Sequence, residues 1–277
     1  MRQLTEGWNN LLFSSKLQKI SETNQSRIIL SLDLTCSPNQ ILKKSISIIK
    51  STSDNICAVK INHHLLLPLS LTEIKKLISV IHSRNLLVIA DLKLNDISAT
   101  NLVVIKHLWK MGFDAVIVNP FVGYSEGLEP LLTKSKSKNK GVLFLVYMSH
   151  KGAKDGYGLD ILKQGQKKKL YLEFVERAKR WRADGIIVGA TRPNLIKEIS
   201  NLTKCKCHHK SLIDIYTPGI GIQGGDISKS IKSGANYLIV GRSIINSKNP
   251  YSISLKLKSN SWISLWWIYL LVLTIFL

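Results

Sequence analysis

Two acids and a lysine lie close together in the segment DLKLND at 91–96. The preceding residues, LLVIA at 86–90, are continuously apolar and predict a buried β-strand. Alternation along such a strand places Asp91 and Lys93 on the same side. Charges this close together are expensive to bury unless they are paired. The alternative is an ion pair with a purely structural role. Lys60, which ends another apolar run, extends the alternation of charges and favours a catalytic site.

Short apolar runs rich in β-branched residues recur along the chain and predict the strands that position these charges. They are RIILSLD (27–33), NICAVKI (55–61), LLVIADL (86–92), AVIVN (115–119), GVLFLVYM (141–148), GIIVG (185–189), SLIDIY (211–216) and NYLIVG (236–241). The stretches between them show helical periodicity, as in 41–50, 71–84, 97–111 and 170–181. Eight strand–helix units in series predict an α/β fold, a closed (β/α)8 TIM barrel, with an open doubly wound sheet as the alternative.

We expect one catalytic barrel domain over residues 27–250. An N-terminal extension or helix, 1–26, precedes it, and a C-terminal helix with an atypical apolar tail, 251–277, follows it. Barrel enzymes carry their functional residues at the carboxyl ends of the strands. Polar residues gather at those ends in this sequence, namely Asp33, Lys60, Asp91, Lys93, Asn119, Ser149, His150, Pro218, Gly241 and Arg242.

The segment GIGIQG at 219–224 matches the pattern G-x-G-x-x-G, which is also found in dinucleotide-binding proteins. That fingerprint expects an acid about 20 residues further on. This chain has Gly241-Arg242 there instead. A glycine-rich backbone with an arginine suits a phosphate monoester, and barrels commonly bind phosphate after strands 7 and 8. We therefore expect a phosphate site.

Six separated segments together resemble the orotidine 5′-phosphate decarboxylase family. They are SLD (31–33), VKI (59–61), DLKLNDISAT (91–100), YMSHKGA (147–153), TPGIGIQGGD (217–226) and IVGRSII (239–245). The resemblance covers roughly residues 27 to 250. It implies a cofactor-free and metal-free decarboxylase that converts orotidine monophosphate to uridine monophosphate in pyrimidine biosynthesis.

The resemblance also implies roles for individual residues. Lys93 would protonate C6 of the pyrimidine, Asp91 would lie near the scissile carboxylate, and Lys60 would hold Asp91 and the ribose. The other residues implied to bind the nucleotide are Asp33 and Ser149, with Pro218, Gly219, Gln223, Gly224, Gly225, Gly241 and Arg242 around the phosphate. Backbone amides near Gly225 and Asp226 would contribute to phosphate binding.

The same resemblance implies a homodimer with shared active sites. Asp96, Ile97 and Thr100 would complete the pocket of the partner chain, with Asp96 counted among the catalytic residues. One departure is Lys151, where many relatives have proline.

Two rival functions remain from the sequence. The first is a 3-keto-gulonate-6-phosphate decarboxylase or hexulose-phosphate synthase, which shares the Asp-x-Lys-x-x-Asp motif but uses magnesium and an acid at the end of strand two. Lys60 stands at that place here. The second is a membrane-tethered or nucleic-acid-binding protein on an inactive barrel, motivated by the apolar tail and the charge. The intact array of charges argues against it.

Composition adds three further expectations. Thirty-nine basic against 18 acidic residues give a net charge of +21, but much of the excess lies in lysine clusters at 134–140 and 167–169. We interpret these as solvated loops and helix ends, with no specific nucleic-acid partner.

The cysteines do not form a disulfide framework, and Cys205, Cys207, His208 and His209 lack the spacing of a closed zinc site.

The two ends of the chain differ. Residues 1–16 contain no continuous apolar segment like that of a secretory signal, so we expect a cytoplasmic protein. Residues 259–277 contain no charge and end in WISLWWIYLLVLTIFL. That length is marginal for spanning a bilayer, which needs about 20 residues. Membrane contact through this tail and an unusually buried terminal helix are both open.

Overall fold

The computed structural model describes residues 11–204 and 213–275, without the side chains of 263–275. Its strands, numbered in chain order, are β1 Ile28–Ser31, β2 Ala58–Asn62, β3 Leu87–Leu94, β4 Ala115–Val118, β5 Gly141–Tyr147, β6 Asp160–Lys163, β7 Gln166–Lys169, β8 Gly185–Val188, β9 Asp214–Pro218 and β10 Tyr237–Val240.

The helices form a second layer around the strands. They are α1 Phe13–Thr23, α2 Pro38–Thr52, α3 His63–Leu66, α4 Leu71–His82, α5 Ser98–Met111, α6 Glu129–Lys136, α7 Leu170–Arg180, α8 Pro193–Thr203, α9 Ile227–Lys232, α10 Arg242–Ile245 and α11 Pro250–Ile275. Single turns at Ser53–Asn55, Pro120–Val122, Tyr124–Leu128 and Lys151–Asp155 complete the connections.

Eight parallel strands close into a barrel in the order β1-β10-β9-β8-β5-β4-β3-β2. The predicted barrel is thereby confirmed, and the open doubly wound sheet is wrong. The four residues of β1, β4, β8 and β10 are buried throughout, as continuous apolar runs predict for strands covered on both faces. Local signals end the helices where expected: Gly112 follows α5 with a φ of +105°, a left-handed conformation that glycine adopts at little cost.

A hairpin of β6 and β7 was not predicted from the sequence. It turns at Gln164 and Gly165, which both have positive φ, and six of its eight strand residues are polar. Ion pairs support it instead: Lys163 and Lys168 each lie 2.6 Å from the buried carboxylate of Glu173 on α7. The interpretation of 167–169 as solvated loop is therefore wrong, since these lysines form a paired strand.

The last helix packs on the barrel through its first turns. The Asn55 side chain donates to the Ser254 hydroxyl at 3.1 Å, and Lys258 donates to the Asp54 carbonyl at 3.0 Å. Within the described ranges, no helix combines the length and apolarity needed to cross a bilayer. The predicted membrane contact of 259–277 falls mainly on side chains outside the described set. The cluster at 205–209 also lies outside the described residues.

Polar side chains seal the amino-terminal end of the barrel. Asp184 accepts a hydrogen bond from the Val142 amide at 2.8 Å, and Asn236 accepts one from the Ile215 amide at 2.9 Å. A carboxyl group therefore accepts from one strand amide, and a side-chain amide, which cannot ionise, accepts from the other. Burial raises the pKa of Asp184 to about 6, against the partly opposing effect of its backbone hydrogen bonds.

We expect Asp184→Asn to stabilise the protein in a pH-dependent way. A carboxyl pKa raised by folding favours the protonated form, so Asp184 lowers stability once the pH rises through about 6. The amide should raise the free energy of unfolding by about 1–2 kcal/mol at pH 8 and by little at pH 4, as measured by urea denaturation. Asn236→Asp is the matched control and should destabilise at pH 8. A gain that is equal at both pH values would contradict this account.

Candidate active site

A cavity of about 210 Å³ opens at the carboxyl ends of the barrel strands. It contains most of the site residues expected from the sequence, together with apolar side chains from β4, β5, β8 and β10. The expected residues that line it are Asp33, Lys60, Asp91, Lys93, Ser149, Pro218, Gly219, Gln223, Gly241 and Arg242.

Asp91 lies between two lysines in this cavity. Its Oδ2 atom is 2.6 Å from Lys60 Nζ, and its Oδ1 atom is 2.7 Å from Lys93 Nζ. Lys60 and Asp91 are buried, whereas about a third of the Lys93 side chain is exposed. Removing one partner of a buried pair leaves an uncompensated charge and costs roughly 3–5 kcal/mol. The cavity therefore holds an ionised array whose most accessible charge is the Lys93 ammonium.

The pKa of Asp91 is lowered in this environment. Burial alone would raise it, but the charges of Lys60 and Lys93 and their hydrogen bonds outweigh burial. The carboxylate therefore stays ionised even when the pH falls to its ordinary pKa, and it can keep both ammonium groups in place.

An irregular backbone directs Lys93 into the cavity. The pairing register of β3 with β4 shifts between Ala90 and Leu94, and Lys93 has a φ of +48°. A non-glycine residue in this left-handed region stores strain of order 1–3 kcal/mol, which is typical of functional sites. Asp91 and Lys93 line one cavity across this bulge, and Leu94 at the end of β3 still pairs with Val118 at the end of β4.

Asp33 is held by three neighbours. Ser31 donates to Oδ2 at 2.7 Å, Asn62 donates to Oδ1 at 2.9 Å, and Lys60 Nζ lies 3.8 Å from Oδ1. Gly241 lies against the same carboxylate, where a Cβ atom would come within 3.0 Å of Asp33 Oδ2. The carboxylate is thus fixed at the cavity wall, where it can accept hydrogen bonds from ligand hydroxyl groups.

The loop after β9 forms the opposite wall. Gly219 and Gly221 adopt positive φ, and a Cβ at Gly219 would meet the Gln223 amide oxygen at 2.6 Å and the Ser149 Cβ at 3.1 Å. Gln223 and Ser149 therefore lie beside each other over the cavity. Arg242 begins α10 at its edge and is exposed. Together these donors can bind an anionic oxygen group.

Two glycine amides of this loop already have hydrogen-bond partners within the loop. The Gly225 amide donates to the Gly219 carbonyl at 3.0 Å, and the Gly224 amide donates to the Gly221 carbonyl at 2.7 Å. Neither residue lines the cavity. The expected phosphate contact through Gly225 stays a prediction, and it requires the loop to change conformation, because in this structure the Gly225 N–H already donates within the loop. Asp226 caps α9 by accepting from the Lys229 amide.

Three more expected site residues lie outside the cavity. Asp96, Ile97 and Thr100 are exposed at the start of α5, and Ile97 is 61% exposed. The Asp96 carboxylate accepts a hydrogen bond only from the adjacent Ile97 amide within the described residues. They therefore cannot act in the cavity of their own chain in this arrangement.

Several residues of this site were not singled out from the sequence. Ser31, Met148, Ile222 and Ser243 line the cavity, and Asn62, outside its lining, helps Ser31 to position Asp33. Ser31 lies two residues before Asp33 on the same strand, so strand alternation could have identified it. Asn62 carried no such signal, since its contact depends on the alignment of β2 with β1.

Comparison with known proteins agrees with this geometry. Residues 26–256 match the orotidine 5′-phosphate decarboxylase / HUMPS family. The chain belongs to this family. It is 34% identical to the orotidine 5′-phosphate decarboxylase of Pyrococcus abyssi over 75% of this chain and 88% of that protein, and 34% identical to that of Thermococcus kodakarensis over 82% and 92%.

Solved structures of orotidine 5′-phosphate decarboxylases share the fold. The Methanocaldococcus jannaschii enzyme, whose crystal structure contains the inhibitor BMP, is 30% identical, with a TM-score of 0.70 over 85% of this chain and 98% of that one. The Pyrococcus horikoshii enzyme is 29% identical, with a TM-score of 0.66 over 84% and 98%. Family membership and barrel architecture are therefore both shown.

Proposed function

We propose that this protein is an orotidine 5′-phosphate decarboxylase that converts orotidine monophosphate to uridine monophosphate and CO₂ in pyrimidine biosynthesis. The observation that carries the proposal is the Lys60–Asp91–Lys93 array, with 2.6 and 2.7 Å contacts, in a cavity that Arg242 also lines. Relatives of that name at 34% identity over most of both chains support it.

Lys93 acts at the reacting carbon. The bond between C6 and the substrate carboxylate breaks, CO₂ leaves, and the electron pair remains on C6. The Lys93 ammonium stabilises this negative charge and then transfers its proton to C6, after which solvent protonates the amine again. A fixed ammonium in a largely dry cavity stabilises such charge far better than water does.

Asp91 and Lys60 position the proton donor. Asp91 accepts from both lysines and so fixes Lys93 Nζ, while its own negative charge lies next to the substrate carboxylate. Lys60 balances that charge, and Asp33 contacts the ribose hydroxyl groups. Interactions that favour the transition state over bound substrate are the ones that accelerate the reaction.

The phosphate binds at the opposite wall. Arg242 supplies a guanidinium fork suited to a phosphate dianion, and Gln223 and Ser149 supply polar groups over the pyrimidine. Because the Gly224 and Gly225 amides are engaged within the loop, phosphate binding through them would require the loop to rearrange. Such closure would exclude water from the site.

The first test separates this function from that of the magnesium-dependent relatives. We expect turnover of orotidine monophosphate, followed by its loss of ultraviolet absorbance, to be unchanged by excess EDTA. We expect no turnover of 3-keto-gulonate 6-phosphate with or without magnesium. The Lys60 ammonium, which occupies the position of an expected metal-binding acid, is the reason. Chelator-sensitive turnover of the sugar phosphate alone would overturn the proposal.

A homodimer with shared active sites is the second part of the proposal. Asp96, Ile97 and Thr100 are exposed at the start of α5 and do not line their own cavity. An exposed isoleucine beside an acid suits a partly apolar contact with a second chain. Asp96 and Thr100 would then contact the ribose bound to the partner chain.

Mixing two inactive variants tests the sharing directly. We expect Lys93→Ala and Asp96→Ala to be nearly inactive alone. When they are co-refolded in equal amounts, half of the dimers are mixed, and each mixed dimer has one intact site. Activity should therefore recover to roughly a quarter of wild type, as expected for an isologous pair. No recovery, with mixed dimers demonstrated by native mass spectrometry, would contradict a shared site.

A further inference from the structure

A second concave surface lies outside the barrel, between α5 and α6. It encloses about 650 Å³, with Leu102, Ile105 and Trp109 as its floor and Lys106, Lys110, Lys134 and Lys138 around it. We call these seven residues the basic groove. None of them lines the catalytic cavity.

The four lysines form two pairs of like charge. Lys106 and Lys110 are four residues apart on α5, and Lys134 and Lys138 have the same spacing across the end of α6. Like charges at this spacing destabilise a helix by a few tenths of a kcal/mol per pair, roughly the gain from opposite charges. No acidic side chain lines the groove, and none of the four lysines has an ion pair within the described part of the chain.

The neighbouring Lys140 provides a contrast. Its ammonium lies 3.0 Å from the Asp114 carboxylate and 5.8 Å from the centre of the Trp109 ring. Lys140 is thus paired with an acid, whereas the groove lysines have no such partner within the described residues. An anion between them would remove that repulsion.

The floor of the groove is apolar and contains an unsatisfied donor. Ile105 is fully buried, and Trp109 Nε1 is buried without a hydrogen-bond acceptor in the described residues. The volume lies within the range of about 300–1,000 Å³ typical of small-molecule sites. Aromatic and apolar surface beside basic side chains is the chemistry that binds a base and its phosphates.

We propose that the basic groove binds a nucleoside triphosphate. The phosphate chain lies between the two lysine pairs, and the base lies against Leu102 and Trp109. A triphosphate carries about four negative charges at neutral pH, which matches the four lysine charges. A ligand oxygen that reached Trp109 Nε1 would supply the acceptor that this donor lacks within the described residues.

Calorimetric titration with inorganic tripolyphosphate, and then with uridine triphosphate, tests this site. We expect the Kd for tripolyphosphate to rise at least tenfold in Lys106→Gln/Lys110→Gln. The matched control, Lys75→Gln/Lys76→Gln, removes two exposed lysines of α4 outside the groove and should change it less than twofold. Equal weakening in both double variants, or no binding to wild type, would overturn the proposal, because the affinity would then come from net charge alone or be absent.

Two further arms test the ligand class and exclude the catalytic cavity. We expect uridine triphosphate to bind at least threefold more tightly than tripolyphosphate, and Trp109→Phe to reduce that preference. Arg242→Gln should still bind one equivalent, since Arg242 is not part of the groove. The proposal fails if this variant loses the site, if the base adds no affinity, or if a 20-residue single-stranded oligonucleotide displaces the triphosphate at lower concentration.

Discussion

Replacing Lys93 by alanine is expected to lower kcat/KM for orotidine monophosphate by at least roughly 10⁴-fold, because the substitution removes both the proton donor and the nearest positive charge. The effect should fall mainly on kcat, since the phosphate and ribose contacts remain. Steady-state kinetics at neutral pH measures it. An added small amine such as ethylammonium should restore part of the activity by occupying the space of the missing ammonium group.

The control for this prediction is Lys151→Ala. Lys151 is exposed in the turn after β5 and does not line the cavity, so its removal should change kcat/KM by less than about threefold. Circular dichroism should show that both variants are folded, because Asp91 in the Lys93 variant keeps its 2.6 Å contact with Lys60. More than a tenth of wild-type kcat/KM remaining in Lys93→Ala would contradict the assigned role.

Arg242→Ala is expected to lower kcat/KM for orotidine monophosphate by roughly 10³-fold, because a guanidinium–phosphate contact in a closed site is worth several kcal/mol. The residue is remote from the reacting carbon. Orotidine without its phosphate is the matched substrate, and its slow turnover should be the same in wild type and variant. Free guanidinium should restore part of the activity toward the phosphorylated substrate only.

Comparison of the two substrates makes this prediction specific. An equal loss with orotidine and with orotidine monophosphate would mean that Arg242 supports the fold or the pyrimidine site rather than the phosphate. A loss confined to the phosphorylated substrate supports the assignment of the Gly241-Arg242 corner.

The barrel was predictable because its strands are buried on both faces. Runs such as 185–189 and 237–241 are apolar without interruption, and each contains a barrel strand. The hairpin of β6 and β7 was not predictable by the same reasoning, since ion pairs to Glu173 support it rather than apolar burial. Hydrophobic periodicity carries no information about such pairs.

The charged part of the site was predictable from strand alternation, whereas its details were not. Asp91 and Lys93 line one cavity, yet they do so through a bulge and a left-handed residue at Lys93. The contact of Asn62 with Asp33 depends on neighbouring strands. The hydrogen bond from the Gly225 amide to the Gly219 carbonyl likewise depends on the folded turn, which the spacing of the glycines alone does not specify.

A crystal structure with bound uridine 5′-monophosphate tests the central claim most directly. The account predicts that Lys93 Nζ lies about 3–3.5 Å from C6 of the pyrimidine. It also predicts that the phosphate contacts Arg242 and that Asp96 of a second chain reaches the ribose. A nucleotide bound with Lys93 turned out of the cavity, or with its phosphate away from the Gly241-Arg242 corner, would contradict it.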